Sequence, residues 1–503
     1  MQTRIFVHRG FPVGEVDKNV FGGFVEHIGR CVYTGIYEPG HPKADKEGFR
    51  QDVIDLVKEL GTPVTRYPGG NFVSGFDWKD SIGPKQSRPR RPDYAWKAME
   101  TNQFGLDEFV SWCRKADTEP MIAVNLGTNT PKAAQEIVEY CNFPKGSYWS
   151  DLRRKNGSKA PHAIKYWCLG NEMDGDWQIG HKTSGEYGRI AYETAKMMKM
   201  VDPDIKLCIC GSCTRWMPTY GQWDYDILRE AYNAVDFLSI HSYFGNPDHD
   251  IPNFLAMPEV LERQICDAIA ICDAAAAVHK TTRRLMIALD EWNVWYRGDT
   301  NAAPETMWKE ARPINEEIYD MTDVLVVGGV LQTLLAHADR VKIANIAQTV
   351  NIIAPIMTEP GGGSWKQSTF HPFALTSRYG RGTSLKVNVD SPAYKGTGEF
   401  KDDIPYLKSA VIHRADASEV VVFAINRSMD EAMDLTVELG GFSPDGIVEA
   451  VEIHHDNPDM VNSIKKQNVR PQAIAKSRMS LKDGIIRANL KPFSWNMLRI
   501  HVS

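Results

Sequence analysis

Apolar residues recur along this chain in two rhythms. From about residue 20 to 375, short apolar runs alternate with amphipathic stretches, the pattern of successive βα units around a parallel sheet. Eight runs read as strands: 24–33, 63–67, 120–126, 164–169, 205–210, 237–242, 285–290 and 341–347. Between them lie helical patterns such as 49–60, where Phe49, Val53, Leu56, Val57 and Leu60 share one face, and 184–201. Eight such units in some 350 residues predict a (β/α)8 TIM barrel rather than an open doubly wound sheet. Beyond residue 379 the rhythm changes to β-rich runs punctuated by Gly, Pro, Asp and Asn: 385–389, 409–415, 420–426, 435–439, 447–454, 485–490 and 496–502. These predict a C-terminal all-β sandwich, antiparallel and jelly-roll-like. Ile5-Phe6-Val7 reads as an extended arm able to join it. The expected division is therefore a barrel over 17–380 and a sandwich built from 1–16 and 381–503.

Composition narrows the class. The 503 residues are 43% hydrophobic and 24% charged, which excludes a disordered or low-complexity chain. The net charge of −6 leaves no general preparation for polyanions, so neither nucleic acid nor an anionic membrane is an expected partner. The longest strongly apolar run, 324–331, contains Gly328 and Gly329 and is far short of a bilayer span. Residues 1–10 lack the apolar core of a secretion signal, and the cytoplasm is the expected compartment. Nine cysteines, several within apolar segments, read as buried thiols rather than a disulfide framework.

In a (β/α)8 barrel the working groups sit at the C-terminal ends of the strands. Run four ends in Gly170-Asn171-Glu172, and run seven in Asp290-Glu291-Trp292-Asn293. Strands four and seven face each other across the barrel, so Glu172 and Glu291 can flank one bound ring. That is the requirement of glycoside hydrolysis, with one carboxyl to protonate the leaving oxygen and one carboxylate to attack or to activate water. Other strand ends supply Glu26 and His27, Arg66, Asn71, Asn125, His241, Tyr243 and Gln348, residue types that hydrogen-bond sugar hydroxyls. Arg66 is a candidate to keep the attacking carboxylate ionised. Trp96, Trp292 and Trp295 are candidates to stack on sugar faces.

The segments Phe21–His27 (FGGFVEH), Arg66–Gly75 (RYPGGNFVSG), Asn102–Phe109 (NQFGLDEF), Gly170–Gly175 (GNEMDG), His241-Ser242-Tyr243 and Asp290–Tyr296 (DEWNVWY) together resemble glycoside hydrolase family 51, the intracellular α-L-arabinofuranosidases of clan A. The resemblance runs nearly end to end in one order. It implies a retaining double displacement with Glu172 as acid/base and Glu291 as nucleophile. It also implies that Glu26, Asn71, Asn171, Tyr243 and Gln348 contact the furanose, that Tyr243 donates to Glu291, and that Trp96 and Trp295 line the leaving-group side. Arabinofuranosyl oligosaccharides are then the substrate, no cofactor or metal is expected, and a homo-oligomer, commonly a hexamer in the family, is. The same machinery acting on β-D-xylosides or as an endoglucanase is the enzymatic alternative. A non-catalytic carbohydrate-binding barrel is disfavoured by the presence of both glutamates.

Four other features read as bland. Cys208, Cys210 and Cys213 lack a second Cys/His pair at zinc-finger spacing. His454-His455 reads as a solvated edge. Gly361–Gly363 reads as a flexible rim loop and Gly69-Gly70 as close backbone approach to the sugar; neither has a P-loop ending. The basic stretch 85–91 reads as solvated or a subunit contact.

Overall fold

A computed structural model describes residues 1–295, 303–397 and 402–503; of the family motifs, only Tyr296 lies outside them. Eight parallel strands close a barrel in sequential order. They are β1 (Gly22–Phe24), β2 (Val64–Tyr67), β3 (Glu119–Val124), β4 (Tyr166–Leu169), β5 (Lys206–Cys210), β6 (Phe237–Phe244), β7 (Met286–Val294) and β8 (Val341–Ile346). Helices Gln51–Leu60, Leu106–Lys115, Pro131–Asn142, Ser184–Val201, Met257–Val278 and Met321–Ala336 are among those wrapping it. Small and medium side chains, including Val64, Met121, Ala123, Cys168, Cys208, Ala288 and Ile343, fill the interior below the mouth.

Three strands differ from expectation in ways that matter for the site. The first run, expected as 24–33, is strand only to Phe24. Its remaining apolar residues, Val25, Ile28, Cys31 and Val32, are buried in turns, so tertiary packing rather than a ladder uses them. β6 and β7 run on past the expected ends to pair Phe244 with Val294, and both carry register shifts, between Ser239 and His241 and between Leu289 and Trp292. Adjacent residues of a regular strand face opposite ways, and a bulge relaxes that rule. At this one, Asp290 and Glu291 both reach the same arginine.

The C-terminal strands form two sheets around a second core. One is five-stranded, with the arm Gln2–His8 between Asn388–Asp390 and Met433–Gly440, followed by Ile485–Leu490 and Met479–Lys482. The other is seven-stranded and runs from Pro12–Glu15 through Thr383–Leu385, Leu407–Arg414, Glu419–Asn426, Ser494–Val502 and Pro444–Ile453 to Gln472–Ala473. Ile5, Val7, Val411, Val420, Val422, Val437 and Ile486 meet between them. The sandwich is not wholly antiparallel: the arm pairs in parallel with Met433–Gly440. No hairpin joins these two segments, so no tight turn dictates their relative direction.

The apolar run 324–331 lies in helix Met321–Ala336, buried through almost its whole length. One side faces the sandwich, where a side chain at Gly328 would collide with Trp495, and another meets Pro258 at Gly329. No described helix is long and apolar enough to cross a membrane.

Three further readings change. Gly361–Gly363 is anchored: Gly362 O accepts from Arg50 Nη2 at 2.8 Å and from His41 Nε2 at 2.8 Å. Arg88, in the basic stretch, is buried and clamps both oxygens of Glu108 at 2.9 Å, a brace rather than a solvated charge. All nine cysteines are free, but Cys266 is exposed rather than buried, because it sits on the outer face of helix Met257–Val278.

Candidate active site

The mouth of the barrel is built around Arg66, which β2 carries fully buried. Its Nη1 lies 2.6 Å from Glu291 Oε1, its Nε 3.1 Å from Asp290 Oδ2, and its Nη2 donates to Asn171 Oδ1 at 2.8 Å. The guanidinium also stacks over the Phe24 ring at 4.7 Å. One planar cation thus fixes groups from β7 and from the turn after β4, a task suited to the five-donor fork of arginine. Tyr243, on β6, donates its hydroxyl to Glu291 Oε2 at 2.7 Å. Burial and then the charge of Glu291 raise the Tyr243 pKa well above its ordinary value, so the phenol stays a donor.

Opposite, Glu172 follows Gly170 in a turn where both have positive φ, 88° for the glycine and 44° for the glutamate. A non-glycine residue in that region is uncommon and concentrates at functional sites. Glu172 Oε1 is 2.9 Å from His241 Nδ1, and Oε2 accepts from Trp177 Nε1 at 2.8 Å. His241 lies 3.5 Å from Asp290 and 3.7 Å from Glu291 through its two nitrogens. Burial opposes a charge on this imidazole, but Glu291, Asp290 and Glu172 outweigh it and raise its pKa well above the usual value. Asp290 is the converse: burial opposes its charge, yet Arg66 and His241 hold it well below the usual carboxylate range. One oxygen of Glu172, one of Glu291 and one nitrogen of His241 all lie within 4.8 Å of each other, a spacing that a cation would accept. A doubly protonated imidazole has no lone pair to give one.

Glu26 closes the floor. It accepts from Phe72 N at 3.1 Å, Trp96 Nε1 at 2.9 Å and Gln348 Nε2 at 2.9 Å. Burial, reinforced by the charge of Glu291, pushes its pKa up to about 8. Gly69 and Gly70 serve this residue: an added Cβ would fall 2.8 Å from Glu26 Cγ or 2.9 Å from Glu26 Oε2. The close approach visible here is to a carboxylate, and Gly70 also lines the cavity beside it.

These groups open on a cavity of about 470 Å³, within the usual range for a small-molecule site. Glu26, Asn71, Trp96, Glu172, Tyr243, Glu291, Trp295 and Gln348 line it. Arg66, Asn171 and His241 stand behind that lining and hold it. Three expected contributors do not take part. His27 is buried among aromatic rings with its Nδ1 2.7 Å from Glu100. Asn125 ties down Phe76 O and Thr128. Trp292 is fully buried and stacks on Phe373.

Sequence reasoning missed Asp290, Trp177 and Trp216. Asp290 stood directly before Glu291 in the run-seven motif, and the register shift between Leu289 and Trp292 accompanies its contact with Arg66. Trp177 and Trp216 are half-exposed or more and line the cavity from loops after β4 and β5. Asp174 braces the second loop, accepting from Ser212 Oγ at 2.6 Å and Cys213 N at 3.0 Å. A tryptophan near the GNE motif was the available signal.

Comparison with known proteins decides the family. An α-L-arabinofuranosidase 1 domain model matches residues 56–250, and an α-L-arabinofuranosidase C-terminal domain model matches 290–494. The intracellular exo-α-(1→5)-L-arabinofuranosidase 1 of Bacillus subtilis is 48% identical over 99% of both chains, and its Acetivibrio thermocellus counterpart is 46% identical over the same shares. The solved structure of AbfB, a family 51 α-L-arabinofuranosidase from Bifidobacterium longum, superposes with a TM-score of 0.94 at 39% identity, covering 99% of each chain. This chain belongs to glycoside hydrolase family 51. Family membership agrees with the resemblance drawn from the motifs, and the (β/α)8 barrel with a β-sandwich is the fold that both led one to expect.

Proposed function

We propose that this family 51 member is a retaining, exo-acting α-L-arabinofuranosidase that releases terminal α-L-arabinofuranosyl groups from oligosaccharides. The observation that carries the mechanism is the approach of Glu172 and Glu291 to within 4.8 Å, oxygen to oxygen. That spacing fits the roughly 5–5.5 Å carboxyl separation of retaining enzymes and leaves no room for the water an inverting pair places between them. The exo action and the sugar are supported by the names of relatives nearly half identical over the whole chain.

Glu291 is the nucleophile in this reading. Arg66 and Tyr243 occupy one oxygen each and orient the carboxylate. Glu172 is the acid/base, with Trp177 and His241 fixing its two oxygens on the leaving-group side. As Glu291 attacks the anomeric carbon, the glycosidic oxygen takes a proton from Glu172 and leaves. In the second step Glu172 removes a proton from water, which displaces Glu291 and regenerates both groups. His241, held against Asp290, positions Glu172 for both steps through its 2.9 Å contact. Gln348 Oε1 and Asn171 Nδ2 are buried without partners; the first belongs to a residue lining the cavity and is an acceptor for a sugar hydroxyl, and the second is a donor just behind that lining. Glu26, neutral below about pH 8, and Asn71 complete the furanose contacts. Trp96, Trp177, Trp216 and Trp295 form the rim where the leaving sugar rests.

The division into a barrel of 17–380 and a sandwich of 1–16 with 381–503 belongs to this reading, supported by Pro12–Glu15 pairing with Thr383–Leu385. So does a cytoplasmic location, supported by relatives named intracellular and by nine unpaired thiols. A homo-oligomer, a hexamer by family resemblance, is tested by light scattering.

The function is tested by turnover of p-nitrophenyl α-L-arabinofuranoside beside the β-D-xylopyranoside, with Glu291→Ala as blank. Turnover mainly of the arabinofuranoside is expected; preference for the xyloside would move the substrate class. Azide added to Glu291→Ala should yield the glycosyl azide of inverted anomeric configuration. Glu172→Ala should impair substrates with poor leaving groups far more than activated aryl glycosides, and equal losses would remove it from the acid/base role.

A further inference from the structure

Far down the outside of the barrel, two helices bring together three side chains that the glycosidase reaction does not use. Glu262 and Cys266 are one turn apart on helix Met257–Val278, so they share a face. His337 caps the C-terminus of helix Met321–Ala336 and reaches across to them. Its Nε2 already lies 2.7 Å from Glu262 Oε1, and one ligand atom from each of the three residues lies within 4.8 Å of the other two. The helices are pinned where they cross, since Thr333 Oγ1 donates to Pro258 O at 3.3 Å and Gly329 packs on the ring of Pro258. Cys266 is the exposed member of the nine cysteines, with Glu262 and His337 half-buried beside it.

We propose that Glu262, Cys266 and His337 form a binding site for a borderline-soft divalent transition ion, best suited to zinc, outside the active site. A thiolate, an imidazole nitrogen and a carboxylate oxygen are the donor types zinc takes, and three protein ligands with one solvent molecule make a tetrahedral shell. Binding displaces the thiol proton of Cys266 to solvent and exchanges the His337–Glu262 hydrogen bond for two bonds to the ion. Hard cations such as calcium and magnesium, which take oxygen ligands, are excluded by the sulfur and nitrogen donors. The site clips the helix that faces the sandwich to the barrel helix beside it, so occupancy stabilises the junction between the domains.

The test is titration of the full chain with cobalt(II) chloride, followed by sulfur-to-cobalt absorption in the near ultraviolet and by arabinofuranoside turnover. One equivalent should produce the band without loss of turnover, and zinc chloride should bleach it. Cys266→Ser should abolish the band, and His337→Ala should weaken cobalt binding at least about tenfold, both with turnover intact as evidence of folding. The melting midpoint should rise with zinc in the wild type and not in either variant. A band that persists in Cys266→Ser, one unchanged in His337→Ala, or none at millimolar cobalt overturns the site. Cobalt binding that instead tracks loss of turnover places the ion at Glu172, His241 and Glu291 and equally overturns it.

Discussion

Between the two sheets of the sandwich the buried surface is aliphatic, with Ile5, Val7, Val411, Val422, Leu435, Val437 and Ile486 in contact. At the mouth of the barrel an equally buried volume holds Arg66, Asp290, Glu291, His241, Glu172 and Glu26. The first arrangement is the one that stabilises, at about 25 cal/mol per Å² of apolar surface removed from water. The second is costly unless every charge is paired, and apolar replacements of such clusters are often neutral or stabilising. The difference shows which region is organised for stability and which is shaped by chemistry. Most of the charges there are paired, through Arg66 with Asp290 and Glu291 and through His241 with Glu172 and Asp290.

The sharpest way to break this contrast is Glu291→Ala. It should lower kcat/KM by at least about 10⁴-fold with little loss of thermal stability, measured by steady-state kinetics and calorimetry. Arg66→Met should strike both properties: turnover falls about 10²–10³-fold as Glu291 loses its orienting cation, and stability drops by about 3–5 kcal/mol because buried Asp290 and Glu291 lose the cation they share. Leu435→Ala in the sandwich should cost a similar about 2–5 kcal/mol while leaving kcat/KM unchanged, a result that chemical denaturation beside kinetics would show. An activity loss there would mean that the sandwich core reaches the site.

Glu26 gives a subtler probe. Between its ordinary value of 4.5 and about 8, the native chain holds a proton that the unfolded chain has released. Wild-type stability therefore falls as pH rises across that window, and Glu26→Gln should remove that component of the slope in urea midpoints followed across it. The smallest effect is expected at the rim: Trp216→Ala should raise KM for α-1,5-arabinobiose about fivefold, the worth of one stacking contact, and leave the methyl arabinofuranoside unchanged.

Several features were legible in the chain itself. Alternation of apolar runs with amphipathic stretches carried seven of the eight barrel strands and the neighbourhood of the first, helix Ser184–Val201 to the residue, and the β-rich remainder. Two glutamates after runs four and seven, with Arg66 on run two, were legible because strand ends map onto one face of a closed barrel. Local periodicity determined these, since it depends only on which residues a helix or strand can turn toward a core. Tertiary structure decided the rest. Only the bulge in β7 turns Asp290 as well as Glu291 toward Arg66, and only the packed loops bring Trp177 and Trp216 to the rim. The parallel pairing of the arm, the burial of Trp292 and the meeting of Cys266 with His337 likewise join residues distant in sequence. Such contacts are set by the shape of the assembled barrel and leave no period in the sequence to read.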